Sequence, residues 1–212
     1  MDQPTSRDPD SLVLGSTDPD APVTRASLDA MLADPACPLH ASAALYHRAM
    51  DVLSSEPLGG KHVLEYACGT AEFGIWIATE GAEVHLLDRR ESNIAEGLRR
   101  AAASGVGRRV KGIRLGNPSN LDMFADEAFE IVFSMEPEAL TSFGPGAIAE
   151  VWRIMKPGAR LVLAHGDYLP GELLESLRER FADVEAAGTV QPTGFLAKLR
   201  PPKGPVLITA WK

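Results

Sequence analysis

The chain has 212 residues, of which 45% are hydrophobic and 24% charged, and a formal net charge of −8. That length suits one well-buried domain rather than two, and the acidity argues against gripping nucleic acid or anionic membrane by charge. No apolar run approaches the roughly 20 residues that cross a bilayer, and the opening MDQPTSRDPDS lacks the apolar core of a signal peptide. The two cysteines, Cys37 and Cys68, lie far apart in sequence; a reducing cytoplasm is the simplest setting for them.

In chain order, Met1 to about Val23 holds four prolines and five aspartates among few large apolar groups, and reads as a mobile arm. A helix is predicted from Thr24 to just before Pro35. A second runs from about Leu39 to Ser55, with Leu45, Ala49, Val52 and Leu53 as its apolar stripe. Pro57 and Gly59-Gly60 end it. These helices, residues 24–60, form a helical N-terminal cap that either packs on a sheet face or covers the binding edge.

From residue 61 to 212 strands and helices alternate. Strands are predicted at Val63–Tyr66, Glu83–Leu87 (ending on Asp88), Val110–Leu115, Phe129–Ser134, Arg160–Ala164, Val184–Ala187 and Val206–Trp211. Helices are predicted at Glu72–Glu80, Glu91–Ser104, Gly146–Met155 and Glu172–Phe181, the second with Ile94, Leu98 and Ala101/Ala102 on its buried face. Repeated βα units with short connections give a mainly parallel sheet covered on both faces. The link from Gly188 to Pro205 is too short for another crossover helix, so the last strand should run antiparallel. The expected fold is therefore α/β: a Rossmann-like, doubly wound seven-stranded sheet, mostly parallel with an antiparallel last strand.

The stretch VLEYACGTAEFGIWIA (Val63 to Ala78) is a strand that turns sharply into a helix. Such a turn presents free backbone N–H groups to a ligand above it. Gly69-Thr70-Ala71-Glu72-Phe73-Gly74 nearly meets the dinucleotide pattern GxGxxG, but alanine stands where backbone would approach a pyrophosphate. Glu65, at the end of the strand, would set a carboxylate against that pyrophosphate. S-adenosylmethionine has no phosphate and carries an ammonium and a sulfonium, so the charge favours the methyl donor. A nicotinamide-dependent oxidoreductase is the competing reading from the same turn.

VLEYACGTA resembles motif I of the class I S-adenosylmethionine-dependent methyltransferases, in their small, type 11-like group. Glu65 matches its acid and Gly69 its middle glycine, while Ala67 and Ala71 replace the outer glycines. Asp88 falls on the acid that chelates the ribose, Arg89 on the following residue against the adenine, and Gly116-Asn117 on the Gly-Asp pair after strand three. Ala128-Phe129-Glu130-Ile131-Val132 is similar to the strand-four signature. The run from Glu150 through Arg153 and Lys156-Pro157-Gly158 to Leu161 resembles the helix-turn that precedes strand five. Five motifs in order cover about Val63 to Ala164.

The resemblance implies S-adenosylmethionine as cofactor, with S-adenosylhomocysteine as its product. The residues it places around the cofactor are Glu65, Ala67, Gly69, Thr70, Asp88, Arg89, Asn117, Pro118, Ser134 and Met135; Met135 could equally fill core. It implies methyl transfer to a small-molecule acceptor with an O-, N- or C-nucleophile. The alternative is a methyltransferase-fold protein that binds the cofactor but does other chemistry or serves as a partner subunit.

Methyl transfer mostly requires alignment of donor and nucleophile, and a hydroxyl acceptor also needs a base. His165 and Glu136, after strands five and four, are the catalytic candidates, with Asp167 nearby; Tyr46 or His47 could reach over the mouth. The acceptor would sit under a lid made of Thr24–Ser55 and the Ala139–Gly146 loop. Ser134-Met135-Glu136-Pro137 lacks the Asn-Pro-Pro-Tyr motif that anchors a planar amine, which disfavours a nucleobase substrate. No His/Cys cluster has metal-ligand spacing, so no metal is proposed. The expected partner is a small-molecule substrate, with no nucleic acid and no membrane; a homodimer is left open.

Overall fold

The computed structural model of the protein describes residues 20–114, 120–135, 145–165, 171–188 and 204–212. Asn117, Pro118, Glu136 and Asp167 lie outside these residues, as do most of the Ala139–Gly146 loop and of the Gly188–Pro205 link. Of the expected arm, residues 1–19 lie outside the described residues; Val23 is buried with its N–H donating to Ser104 Oγ at 2.9 Å, and Asp20 pairs with Arg99 at 2.7 Å.

Thr24 starts α1 (Arg25–Ala33) with a reciprocal capping box, its side chain accepting from Ser27 N–H. A single 3-10 turn (His40–Ser42) leads into α2 (Ala43–Leu53). The buried stripe of α2 is Tyr46, Ala49, Met50 and Leu53. Leu45 and Val52, predicted in the stripe, are only partly buried, because Tyr46 and Met50 bring more apolar area to the sheet at the same helical spacing. Of the two placements open to the cap, the sheet face is observed: α1 and α2 share one apolar cluster with Val63, Phe73 and Val162.

The alternation continues through β1 (His62–Tyr66), α3 (Glu72–Thr79), β2 (Glu83–Asp88), α4 (Glu91–Ala103), β3 (Val110–Arg114) and β4 (Phe129–Ser134). It closes with α5 (Pro145–Ile154), β5 (Met155–His165), α6 (Gly171–Arg178), β6 (Asp183–Gly188) and β7 (Val206–Trp211). The seven strands lie in the order β3-β2-β1-β4-β5-β7-β6. β7 runs antiparallel to both β5 and β6, and the pairs β3-β2, β2-β1, β1-β4 and β4-β5 are parallel. The predicted seven-stranded, mostly parallel sheet with an antiparallel last strand is the observed one.

Strand residues divide by parity, as the pleat requires. Val63, Ile131, Phe133 and Val162 join the cluster beneath α1 to α4. Leu64, Val132, Leu161 and Leu163 join the one beneath α5 and α6. On α4 the predicted face is rotated: Ile94, Gly97, Arg100 and Ala101 are buried, while Leu98 is 38% exposed. β5 starts earlier than predicted, and the register slips between Phe129↔Met155 and Ile131↔Arg160. Gly158, at φ 76, lies in the slipped stretch of β5, between Met155 and Arg160.

The winding reverses between β1, which leads on to β2 and β3, and β4, which leads to β5. In such sheets the ligand crevice opens beyond the carboxyl ends of the strands flanking this point.

Candidate active site

The turn after β1 alternates into left-handed backbone: Ala67 at φ 54, Gly69 at φ 52 and Ala71 at φ 65. An L-residue with a Cβ loses about 1 kcal/mol there, and two of the three positions carry alanine. Two backbone bonds hold the conformation, Cys68 N–H to Leu87 O at 3.0 Å and Ala71 N–H to Cys68 O at 2.7 Å.

Contacts around Ala71 show why alanine is tolerated. A Cβ built on Gly97 of α4 would lie 3.0 Å from Ala71 Cβ and 3.0 Å from Leu86 Cδ1. The Ala71 methyl therefore points into the α4 seam, where Gly97 leaves room for it. Gly97 was not picked out from sequence, although a glycine inside a helical pattern signals a close approach of this kind.

Ala71 is the N-cap of α3 and has no side chain to cap with. Glu65 takes the task from β1: its Oε2 accepts the Gly74 N–H at 3.1 Å. A Cβ on Gly74 would overlap that oxygen and come within 2.8 Å of Leu86 Cδ2. At least one Glu65 oxygen, expected to face the ligand, is thus committed to the protein. The group is 2% exposed beneath the turn.

Asp88 closes β2 on the other side. Its Oδ2 accepts the Gly69 N–H at 3.0 Å and its Oδ1 the Arg90 N–H at 2.8 Å. Each oxygen keeps a further lone pair, and the group is 7% exposed at the carboxyl edge. Arg89 projects to solvent. Thr70 is buried and its hydroxyl donates to Glu72 Oε2 at 2.6 Å. Tyr66, at the end of β1, has its phenol pushed up by burial, with Arg89 opposing, so it stays neutral.

Across the switch point, the Ser134 hydroxyl is buried at the end of β4 with no hydrogen-bond partner among the described residues. Met135 is 1% exposed and belongs to the apolar cluster. His165 ends β5, largely buried and paired in register with Val206 of β7. Tyr46 is fully buried and stacks on Phe73 with ring centroids 6.0 Å apart, and His47 Nε2 sits 3.2 Å from Asp29 on α1. Neither reaches over the crevice, because α2 lies on the sheet face.

Two described residues of the later motifs, Arg153 and Glu130, bond to other parts of the fold. Arg153 donates to Phe124 O, Leu121 O, Glu150 and Asp126, clamping the segment before β4 to α5. Glu130 accepts the His62 N–H at 2.8 Å and pairs with Lys156 at the amino edge of the sheet.

The family model described as "Methyltransferase domain" matches residues 58–195, which is most of the chain and includes the turn, Asp88 and Ser134. The chain belongs to the methyltransferase-domain family. The class I resemblance carried by the motifs stands. This methyltransferase domain is 32% identical over 129 residues to the ubiquinone/menaquinone biosynthesis C-methyltransferase UbiE of Paracoccus denitrificans, covering 59% of this chain. It spans about half the length of the curated relatives it matches, 50% in that case. Among solved structures it is similar to geranyl diphosphate methyltransferase in complex with GPP and sinefungin, with a TM-score of 0.64 at 16% identity over 86% of this chain and 81% of that one. It is also similar to the [4+2]-cyclase SpnF, with a TM-score of 0.63 at 21% identity over 81% of each chain. At those identities the structures show the fold.

Proposed function

We propose that the chain is an S-adenosylmethionine-dependent methyltransferase acting on a small-molecule acceptor. The carrying observation is the charge of the strand-turn-helix. Glu65 and Asp88 are buried around it at 2% and 7% exposure, each accepting backbone N–H groups rather than a lysine or arginine in the bonds described. A pyrophosphate would meet like charge there in low dielectric, whereas a ligand bearing an ammonium and a sulfonium meets opposite charge.

The residues present fit that ligand. Asp88, fixed by two backbone N–H groups, offers both oxygens to the ribose hydroxyls. The unpartnered Ser134 hydroxyl offers a donor beside β1. The Ala71 methyl, turned toward Gly97, leaves the turn free for close approach. When bound, the sulfonium supplies an electrophilic methyl group; the protein's part is to align it with the acceptor. His165 is our candidate base, placed at the end of β5; Glu136 remains a second.

A quinol ring carbon is the first acceptor class to assay, because the curated relatives are named ubiquinone/menaquinone biosynthesis C-methyltransferases. A cytoplasmic location is part of the same reading and rests on the free thiols Cys37 and Cys68.

Calorimetry with S-adenosylhomocysteine is the direct test, with micromolar binding expected and NADH bound more weakly. Absence of binding at millimolar ligand overturns the proposal. Transfer of labelled methyl from S-adenosylmethionine to a quinol panel then separates catalysis from cofactor binding alone.

A further inference from the structure

Glu72 stands in the first turn of α3, immediately after the cofactor turn, and is 4% exposed. Its Oε2 accepts the Thr70 hydroxyl at 2.6 Å. Its Oε1 is buried without a hydrogen bond among the described residues. The nearest cation is Arg100 of α4, 3.7 Å from Oε1, too far for a hydrogen bond. Arg100 holds a closer acid: its Nε donates to Glu96 Oε1 at 2.7 Å.

We propose that Glu72 is a positioning residue for the turn: a neutral Glu72 carboxyl holds Thr70 and the start of α3 in place, and its ionisation loosens them. The inference about ligand affinity rests on the methyl-donor reading above; the inference about the turn does not.

A neutral carboxyl keeps every bond the site shows. Thr70 donates to it or accepts its O–H with equal geometry, and Arg100 keeps Glu96. An ionised one leaves Oε1 charged, buried and unbonded, which is costly in low dielectric. From α4, Arg100 favours the charge and Glu96 opposes it. Glu65 and Asp88, the other buried acids of the strand-turn-helix, are held by backbone N–H groups and add no cation. Burial pushes the carboxyl up to about 7, with the Thr70 bond and Arg100 pulling the other way.

The sign follows from linkage. With its affinity for a proton raised in the folded turn, Glu72 contributes order that is full below about 4.5, the ordinary carboxyl value. That order is lost as pH rises toward about 7, and nothing further changes above it. The window is mildly acidic to neutral.

Amide hydrogen exchange of residues 67–74, corrected for intrinsic rates, reads this in the ligand-free protein. Protection should fall about tenfold per pH unit between pH 5 and 7 and then level off. Glu72→Gln should abolish that dependence. Glu96→Gln, at a half-exposed site, returns Arg100 to Glu72 and should move the levelling point to lower pH. That variant keeps the proposal testable if Glu72→Gln does not fold. A flat wild-type profile, a Glu72→Gln profile that parallels it, or an unmoved levelling point in Glu96→Gln overturns the proposal. Calorimetry with S-adenosylhomocysteine at pH 5.5 and 7.5 should show affinity falling several-fold in the wild type and constant in Glu72→Gln. A pH-independent wild-type affinity overturns the coupling. No binding at either pH, with exchange as expected, overturns the methyl-donor reading and leaves the role of Glu72 intact.

Discussion

At the carboxyl edge of the sheet, Glu65 and Asp88 accept backbone N–H groups from Gly74, Gly69 and Arg90, whereas at the amino edge Glu56 and Glu130 each face a lysine, Lys61 and Lys156. Both edges are rich in carboxylates, yet the lysine pairs lie at the amino edge. At the amino edge the ion pairs line a groove of about 230 Å³ and neutralise one another, with Arg160 tying the end of α2 to β5 through Val52 O at 2.8 Å. At the carboxyl edge the acids shape the backbone through neutral donors, so their negative field remains for a ligand. Hydrogen bonds from backbone N–H groups fix a carboxylate as firmly as a lysine does without cancelling its charge.

Substitutions at the two edges should separate these roles. The largest effect is expected from Gly74→Ala, whose Cβ would overlap Glu65 Oε2. Despite the better helix propensity of alanine, denaturant unfolding should show a loss of about 3 kcal/mol. A loss below the propensity gain would mean that Glu65 can swing away. Asp88→Ala comes next. It leaves the Gly69 and Arg90 N–H groups without their acceptor, costs about 2 kcal/mol of stability, and should lower S-adenosylhomocysteine affinity about 100-fold, a loss of roughly 2.7 kcal/mol in binding. Unchanged affinity would remove Asp88 from the ligand site.

A smaller effect tests the alanine-for-glycine exchange. Ala71→Gly relieves the φ of 65 and should stabilise by about 0.5 kcal/mol after the entropy of glycine is offset. Gly97→Ala should cost about 1.5 kcal/mol alone and measurably less in the Ala71→Gly background, because the 3.0 Å approach of the two methyls is then gone. Additive effects in that double-mutant cycle would place the Ala71 methyl elsewhere. The smallest effect belongs to the amino edge. Lys156→Ala breaks a pair whose side chains are 36% and 31% exposed; it should cost under about 1 kcal/mol and leave ligand affinity untouched. A loss of affinity there would erase the contrast between the edges.

Nearly all of the fold was legible in the chain itself. The seven strands, their order of appearance and the antiparallel β7 follow from apolar runs, glycine stops and connection lengths, which are local quantities. The candidate site was legible in position, since Asp88 closes a strand beside a glycine-rich turn, and less so in role. Glu65 was expected to face a ligand, and its bond to Gly74 N–H depends on how α3 docks over β1. The helical faces of α2 and α4 were misjudged because Tyr46 and Arg100 were not counted as buried. Both are buried where they stand, Tyr46 by stacking on Phe73 and Arg100 by its pairing with Glu96.

What the sequence determined by itself was the alternation of elements, the acidic turn and the family, because periodicity, charge and motif spacing need no third dimension. The tertiary structure decided where each acid points and what it touches. Gly97 accommodates Ala71, Gly74 receives Glu65, and Arg100 prefers Glu96 to Glu72. Those choices join residues from separate elements across distances of a few ångströms. Close packing sets such distances, and no local pattern along the chain encodes them.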